Sequence, residues 1–223
     1  MAHIIPGRLR ESDSGSELSF HRICNWITLC DKEHRCASFT ALLPTRVLDV
    51  CPNSPYIRLV ETSGQLGKYI TLSYCWGTSN VITTKLSTIN ARKESIPLDD
   101  LPQTFLDAVW IARHLDIQYL WIDALCIIQD DLLDWEHESS KMASIYGMSY
   151  LTIAATGSAD SLGGCFTAWS SRSCTGLVSP DATSLGRSIC IDAAPVINTG
   201  GGSFSWYYRN PFVDLETIHN GQT

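Results

Sequence analysis

The stretch from Tyr119 to Ala155, YLWIDALCIIQDDLLDWEHESSKMASIYGMSYLTIAA, constrains the fold more than any other part of the chain. It opens on a short apolar run rich in aromatic and branched residues (Tyr119, Leu120, Trp121, Ile122) that stops at Asp123, and it closes on a second run from Tyr150 to Ala155. Neither run alternates polar and apolar residues, which is the pattern of strands covered on both faces, as parallel strands in an α/β sheet are. An acidic segment of helical character joins them. The stretch therefore reads strand, loop, helix, strand, with the helix as a crossover. The expected fold is α/β: a mainly parallel sheet flanked by helices, with irregular N- and C-terminal additions.

With Asp130 or Asp134 as its cap, the helix places Trp135, Glu138, Met142, Ile145 and Tyr146 on one face, the face that packs on the sheet. Glu138 is then a carboxylate on a core-facing stripe. Either it sits at the stripe's edge and reaches water or a backbone N–H, or it lines a cleft with a raised pKa.

Upstream, Phe20, Ile23, Trp26, Ile27 and Cys30 recur at helical spacing over Ser19 to His34. Cys30, His34 and Cys36, with Cys24 or Cys51 as a fourth, lack the repeated pairs of a zinc site, so they are read as core cysteines and a surface histidine, and no metal is expected. Leu43 to Val50 and Tyr56 to Glu61 read as two strands, the second alternating and half exposed, that pair as a small antiparallel lead-in to the main sheet. Tyr69 to Trp76 is a strong strand ended by Gly77, and Thr78 to Asp100 reads as a long irregular loop. A helix opens at Leu101-Pro102 and runs to about Asp116, burying Phe105, Ala108, Val109, Ala112 and Leu115 and leaving Arg113 and His114 solvated. Gly157, Gly163 and Gly164 match no phosphate-binding loop. The chain so divides into a flexible leader (1–18), a helix with the β lead-in (19–67), a core (68–167) and an irregular C-terminal segment (168–223).

At 223 residues, 44% hydrophobic and 17% charged, the chain can bury a sizeable core. A net charge of −7 without a basic run argues against a nucleic-acid partner. The nine cysteines are odd in number and scattered, with no C-x-x-C pair, which fits a reducing compartment. No signal-peptide core or membrane-length apolar run is present, so a cytoplasmic protein is expected.

Ligands of parallel sheets bind beyond the carboxyl ends of the strands. Ser73, Tyr74, Trp76 and Gly77 close the first core strand, Asp123 closes the second, and Gln129, Asp130, Trp135 and Glu138 follow at the same edge. The carboxylate pair Asp123 and Glu138, the Gln129 amide and the indoles suit a planar, polar ligand. A Cys126–His137 hydrolase is disfavoured, because a helical His137 points about 100° away from the face of Glu138.

Five ordered blocks, LSYCWG (Leu72 to Gly77), LPQTFLDA (Leu101 to Ala108), YLWIDALCIIQDD (Tyr119 to Asp131), DWEHESSKMASIY (Asp134 to Tyr146) and LTIAA (Leu151 to Ala155), resemble the fungal heterokaryon incompatibility (HET) domain. Trp26, Cys30, His34 and Cys36, with LPTRVLDV, resemble the region preceding it. The resemblance implies a cytoplasmic fungal protein of self/non-self recognition and programmed cell death. It further implies a core likened to Toll/interleukin-receptor (TIR) domains and to flavodoxin-like folds, some TIR members of which cleave NAD. In those enzymes a Trp shortly before a Glu on a helix places the catalytic acid; Trp135 and Glu138 are the comparable pair here, one residue closer together. On this basis Glu138 and Asp123 are the expected catalytic residues, Ser73, Tyr74, Trp76, Gly77, Gln129, Asp130 and Trp135 the ligand-binding ones, and NAD a substrate rather than a cofactor. Implied partners are other HET or NLR-type proteins, or a second copy of the chain. Family members usually continue into an Arg-Gly-Trp block, where this chain offers Ser205-Trp206-Tyr207-Tyr208-Arg209, so a short or truncated version is expected. Two other readings stay open: a non-catalytic oligomerising module, and an enzyme or accessory factor of fungal secondary metabolism.

Overall fold

The computed structural model describes residues 13–33, 40–78 and 81–166. Most of the expected leader, His34, Cys36 and the 168–223 segment lie outside the described residues.

Six strands form one sheet in the order β6-β3-β2-β7-β5-β8: β2 (Arg46–Asp49), β3 (Tyr56–Glu61), β5 (Tyr69–Ser73), β6 (Ile96–Pro97), β7 (Tyr119–Trp121) and β8 (Leu151–Ala154). A separate two-stranded pair joins β1 (Ala41–Leu42) to β4 (Leu66–Gly67). The helices are α1 (Glu17–Glu33), α2 (Ile89–Glu94), α3 (Gln103–His114), α4 (Asp123–Cys126) and α5 (Leu132–Gly147).

Only β7, β5 and β8 are parallel; β2 runs antiparallel to β7, and β3 and β6 continue antiparallel outward. The sheet is thus mixed, not mainly parallel. The hairpin expected as a lead-in supplies β2, which stands beside the parallel block and is buried along its whole length. Its two charged residues are paired there: Arg46 with Asp134, and Asp49 with Arg58, while Asp49 also accepts from the Gln118 amide. The crossover from β7 through α5 also passes over a strand, because β5 lies between β7 and β8. The expected irregular loop 78–100 instead carries α2, β6 and a 3-10 turn, Leu98–Asp100.

Period-two alternation along β5 assigns its faces to different helices. Tyr69 donates its hydroxyl to the Ile145 carbonyl of α5, at 2.6 Å, and Thr71 pairs with Ser149 just beyond that helix. Fully buried Phe105, Ala108 and Ala112 of α3 join the same core as Ile70, Leu72 and Leu120, whereas Trp121, in register with Thr71, meets Tyr146 of α5. Arg113 is not solvated as expected; it donates to the Val50 and Ser54 carbonyls and ties α3 to the β2–β3 turn. The cap of α5 is Asp131, whose carboxylate accepts from the N–H groups of Leu133 and Asp134. On α1 only Phe20 is buried, against Trp110 of α3.

Candidate functional site

The three parallel strands end together, and their carboxyl ends form a rim made by residues 74–78, 122–123 and 155–160. Asp123 sits at its centre. The apolar run of β7 ends at Ile122, where the chain turns into α4, and this leaves the Asp123 side chain half-buried between β5 and the loop after it. Its Oδ1 accepts the Ala124 N–H at 2.7 Å and its Oδ2 the Trp76 indole N–H at 2.8 Å. Burial raises its pKa from the ordinary value of 3.8, and the indole, the Ala124 N–H and the Tyr74 side chain offset only part of that shift.

Tyr74 lies beside it, its ring edge-on to Phe105 and nearly parallel to that of Trp76. Its hydroxyl is buried beside the Asp123 carboxylate. Burial, and then the neighbouring Asp123 charge, hold the phenolic proton on firmly. Gly77 turns the chain away with φ 66°, and a Cβ there would collide with Asp160. The glycine thus lets the rim's two outer loops approach each other.

Glu138 occupies a different place. It is buried, with 1% of its surface exposed, and its Oε1 accepts from Thr45 Oγ1 at 2.8 Å and from Lys141 Nζ at 3.3 Å. The exposed His137 ring stands 3.7 Å from the same oxygen. Glu138 thereby fastens α5 to the turn entering β2. Between the two acids lies Cys126, whose thiol is pushed up to about 12 by burial, with the Asp123 and Glu138 charges adding to the shift. A thiol so placed stays protonated and is a poor nucleophile.

Of the residues expected to bind ligand, Ser73, Tyr74, Trp76 and Gly77 lie on the rim with Asp123. Gln129 instead turns inward to the Asp123 and Ile127 carbonyls. Asp130 accepts the Leu86 N–H at 2.7 Å and so braces the neighbouring loop. Trp135 stands 47% exposed on α5 near Leu132 and Leu133. The burial of the Tyr74 hydroxyl is the feature of the rim with no signal in the sequence, since it depends on contacts from Phe105 of α3 and Asp123 of α4. Elsewhere, a groove of about 440 Å³ runs along the outer face of α3, between Trp110, Leu106 and Phe166. Among the described residues no group of three metal-ligating side chains forms and no helix is long and apolar enough to cross a membrane.

A half-buried carboxylate with a raised pKa makes a testable mark on stability. Below 3.8 the group is protonated both folded and unfolded, whereas above its raised folded value the fold carries the cost of ionising it in place. Asn cannot ionise. Urea unfolding of Asp123→Asn beside wild type should therefore show the difference moving in the variant's favour as pH rises through that window. A difference that moves the other way would mean that the N–H donors outweigh burial.

The fold is thus a mixed α/β sheet flanked by helices, with an acid and aromatic rings at the ends of its parallel strands. The family model for heterokaryon incompatibility protein (HET) matches residues 69–182, just over half of the chain, and the chain belongs to that family. No curated protein and no solved structure matches it.

Proposed function

We propose that the chain acts in heterokaryon incompatibility, in the self/non-self recognition that ends in cell death, and that its rim does so by binding NAD and hydrolysing the bond between nicotinamide and ribose. Asp123 carries this reading: a half-buried carboxylate of raised pKa at the carboxyl ends of parallel strands, held by an indole N–H. In the hydrolysis the C1′–N bond breaks with its electron pair leaving on nicotinamide, water oxygen bonds to C1′, and Asp123 receives the proton of that water. An acid whose pKa is shifted toward neutrality suits that exchange, and its negative charge in a partly desolvated site steadies the positive charge that develops on the ribose. Glu138 is the second acid of this reading. Because Thr45 and Lys141 already engage its Oε1, it serves by fastening α5 to the turn entering β2. The parallel block β7-β5-β8 supports the comparison with TIR domains, and cytoplasmic NAD is the matching substrate pool.

A second reading, a non-catalytic module that oligomerises or docks on other HET or NLR-type proteins, is favoured by one observation. Leu132, Leu133 and Trp135 expose 68%, 78% and 47% of their surfaces on the first turns of α5. Expression in a filamentous fungus separates the two. Wild type should kill hyphal compartments and Asp123→Asn, present at equal abundance, should not; equal killing by both would favour the module.

A further inference from the structure

The groove of about 440 Å³ along the outer face of α3 has no part in the hydrolysis proposed for the rim. Helical spacing puts Leu106, Trp110, Arg113 and His114 on that face, and Leu98, Val109 and Phe166 add apolar lining. The volume is that of a small-molecule cleft. Its two ends differ in what they have left to offer. Toward the start of α3 the Asp107 carboxylate, 8% exposed, is already engaged: Oδ1 accepts from the Gln103 amide at 2.6 Å and Oδ2 from the Cys165 N–H at 2.7 Å. Toward the end of α3, Arg113 gives its Nε to the Val50 carbonyl at 2.6 Å and its Nη2 to the Ser54 carbonyl at 2.9 Å. Both acceptors are neutral, and among the described residues the N–H groups of Nη1 are left uncommitted. An apolar channel therefore leads to a cation whose charge is still to be balanced.

We infer that the groove binds an aliphatic carboxylate of medium chain length, its alkyl chain along Leu106 and Trp110 and its head group on Arg113. From Leu106 to Arg113 the helix advances about 10 Å, the reach of such a chain. A carboxylate makes a charge-assisted hydrogen bond with a guanidinium, stronger than the neutral one an alcohol offers. A cationic head group would be repelled there. An extended peptide would need donors and acceptors along the channel, and the side chains of Leu98, Leu106, Val109 and Phe166 supply none.

The test titrates the ¹⁵N-labelled full chain with octanoate, octanol and octylammonium in turn, each below its micelle concentration, and follows the Trp110 indole N–H, assigned with Trp110→Phe. Octanoate should move that signal, octanol should bind at least about tenfold more weakly, and octylammonium should leave it in place. Phe166→Ala should weaken octanoate about tenfold through lost apolar contact. Arg113→Gln also loosens the β2–β3 turn, so it is read by preference: octanol binding should persist while the advantage of octanoate over octanol disappears. Equal binding of the three probes would reduce the groove to a merely apolar surface, and a shift with octylammonium alone would reverse the assigned charge; either overturns the inference. Silence toward octanoate in a chain that circular dichroism shows to be folded, or an advantage of octanoate that survives Arg113→Gln, overturns it as well. NAD turnover enters none of these outcomes, so the proposed function of the rim stands or falls separately.

Discussion

Replacing Arg46 with Met is expected to lower the stability of the fold by about 3–5 kcal/mol and its Tm by roughly 10 °C. Arg46 is 6% exposed, and its guanidinium meets the Asp134 carboxylate at 2.5 Å while its Nε donates to the Cys126 carbonyl at 2.7 Å. Those bonds join β2, α4 and α5, three elements far apart in sequence. Methionine fills much of the volume but leaves a largely buried carboxylate without its counter-ion and a buried carbonyl without its donor, and unpaired buried charge is among the costliest defects a core can carry. Asp134 would keep its bond from the Ile128 N–H, so partial rescue is expected from Arg46→Met combined with Asp134→Leu. Urea denaturation followed by circular dichroism measures both. A loss under about 1 kcal/mol, typical of an exposed pair, would show that this network does not hold the hairpin in the sheet.

Asp123→Asn is expected to reduce NAD hydrolysis by a factor of about 10²–10⁴, the contribution of a positioned acid or base. The shape is conserved, but the single Asn oxygen can accept from only one of the Trp76 indole and the Ala124 N–H, so the loss is read beside circular dichroism and urea unfolding, which report any loosening of the rim. Glu138→Gln should cost far less, within about tenfold, and should show instead as lowered stability, because the Gln amide still meets Thr45 but no longer offsets the Lys141 charge. The split between the two acids is the discriminating result. If Glu138→Gln abolished hydrolysis and Asp123→Asn spared it, the rim would have been assigned to the wrong carboxylate.

The sequence reading succeeded where the decisive interactions are local. The apolar runs at Tyr69, Tyr119 and Leu151 became β5, β7 and β8, and of the two positions that helical spacing left open for Glu138, the stripe's edge or the interior, the structure has the side chain buried. Trp135, placed on the same stripe, is 47% exposed. The reading failed at β2. Arg46 and Asp49 at the ends of a four-residue strand look solvent-facing, and nothing nearby reveals that Asp134, 88 residues on, buries the first of them. The sheet was expected to be mainly parallel because the apolar runs lack alternation, with the hairpin taken as a lead-in rather than as strands of the sheet itself. Thr45, the partner of Glu138, is equally remote. Convergence of Tyr74, Trp76 and Asp123 was legible from strand ends, whereas the inward turn of Gln129 and the bracing role of Asp130 depend on loop geometry that no periodicity encodes.

The most direct measurement is NAD turnover by the purified full chain at high protein concentration, wild type beside Asp123→Asn, with circular dichroism confirming that both are folded. The account predicts that wild type releases nicotinamide and ADP-ribose in equal amounts while the variant leaves NAD intact. Folded wild type that leaves NAD untouched, or a variant that turns it over as fast, would contradict it.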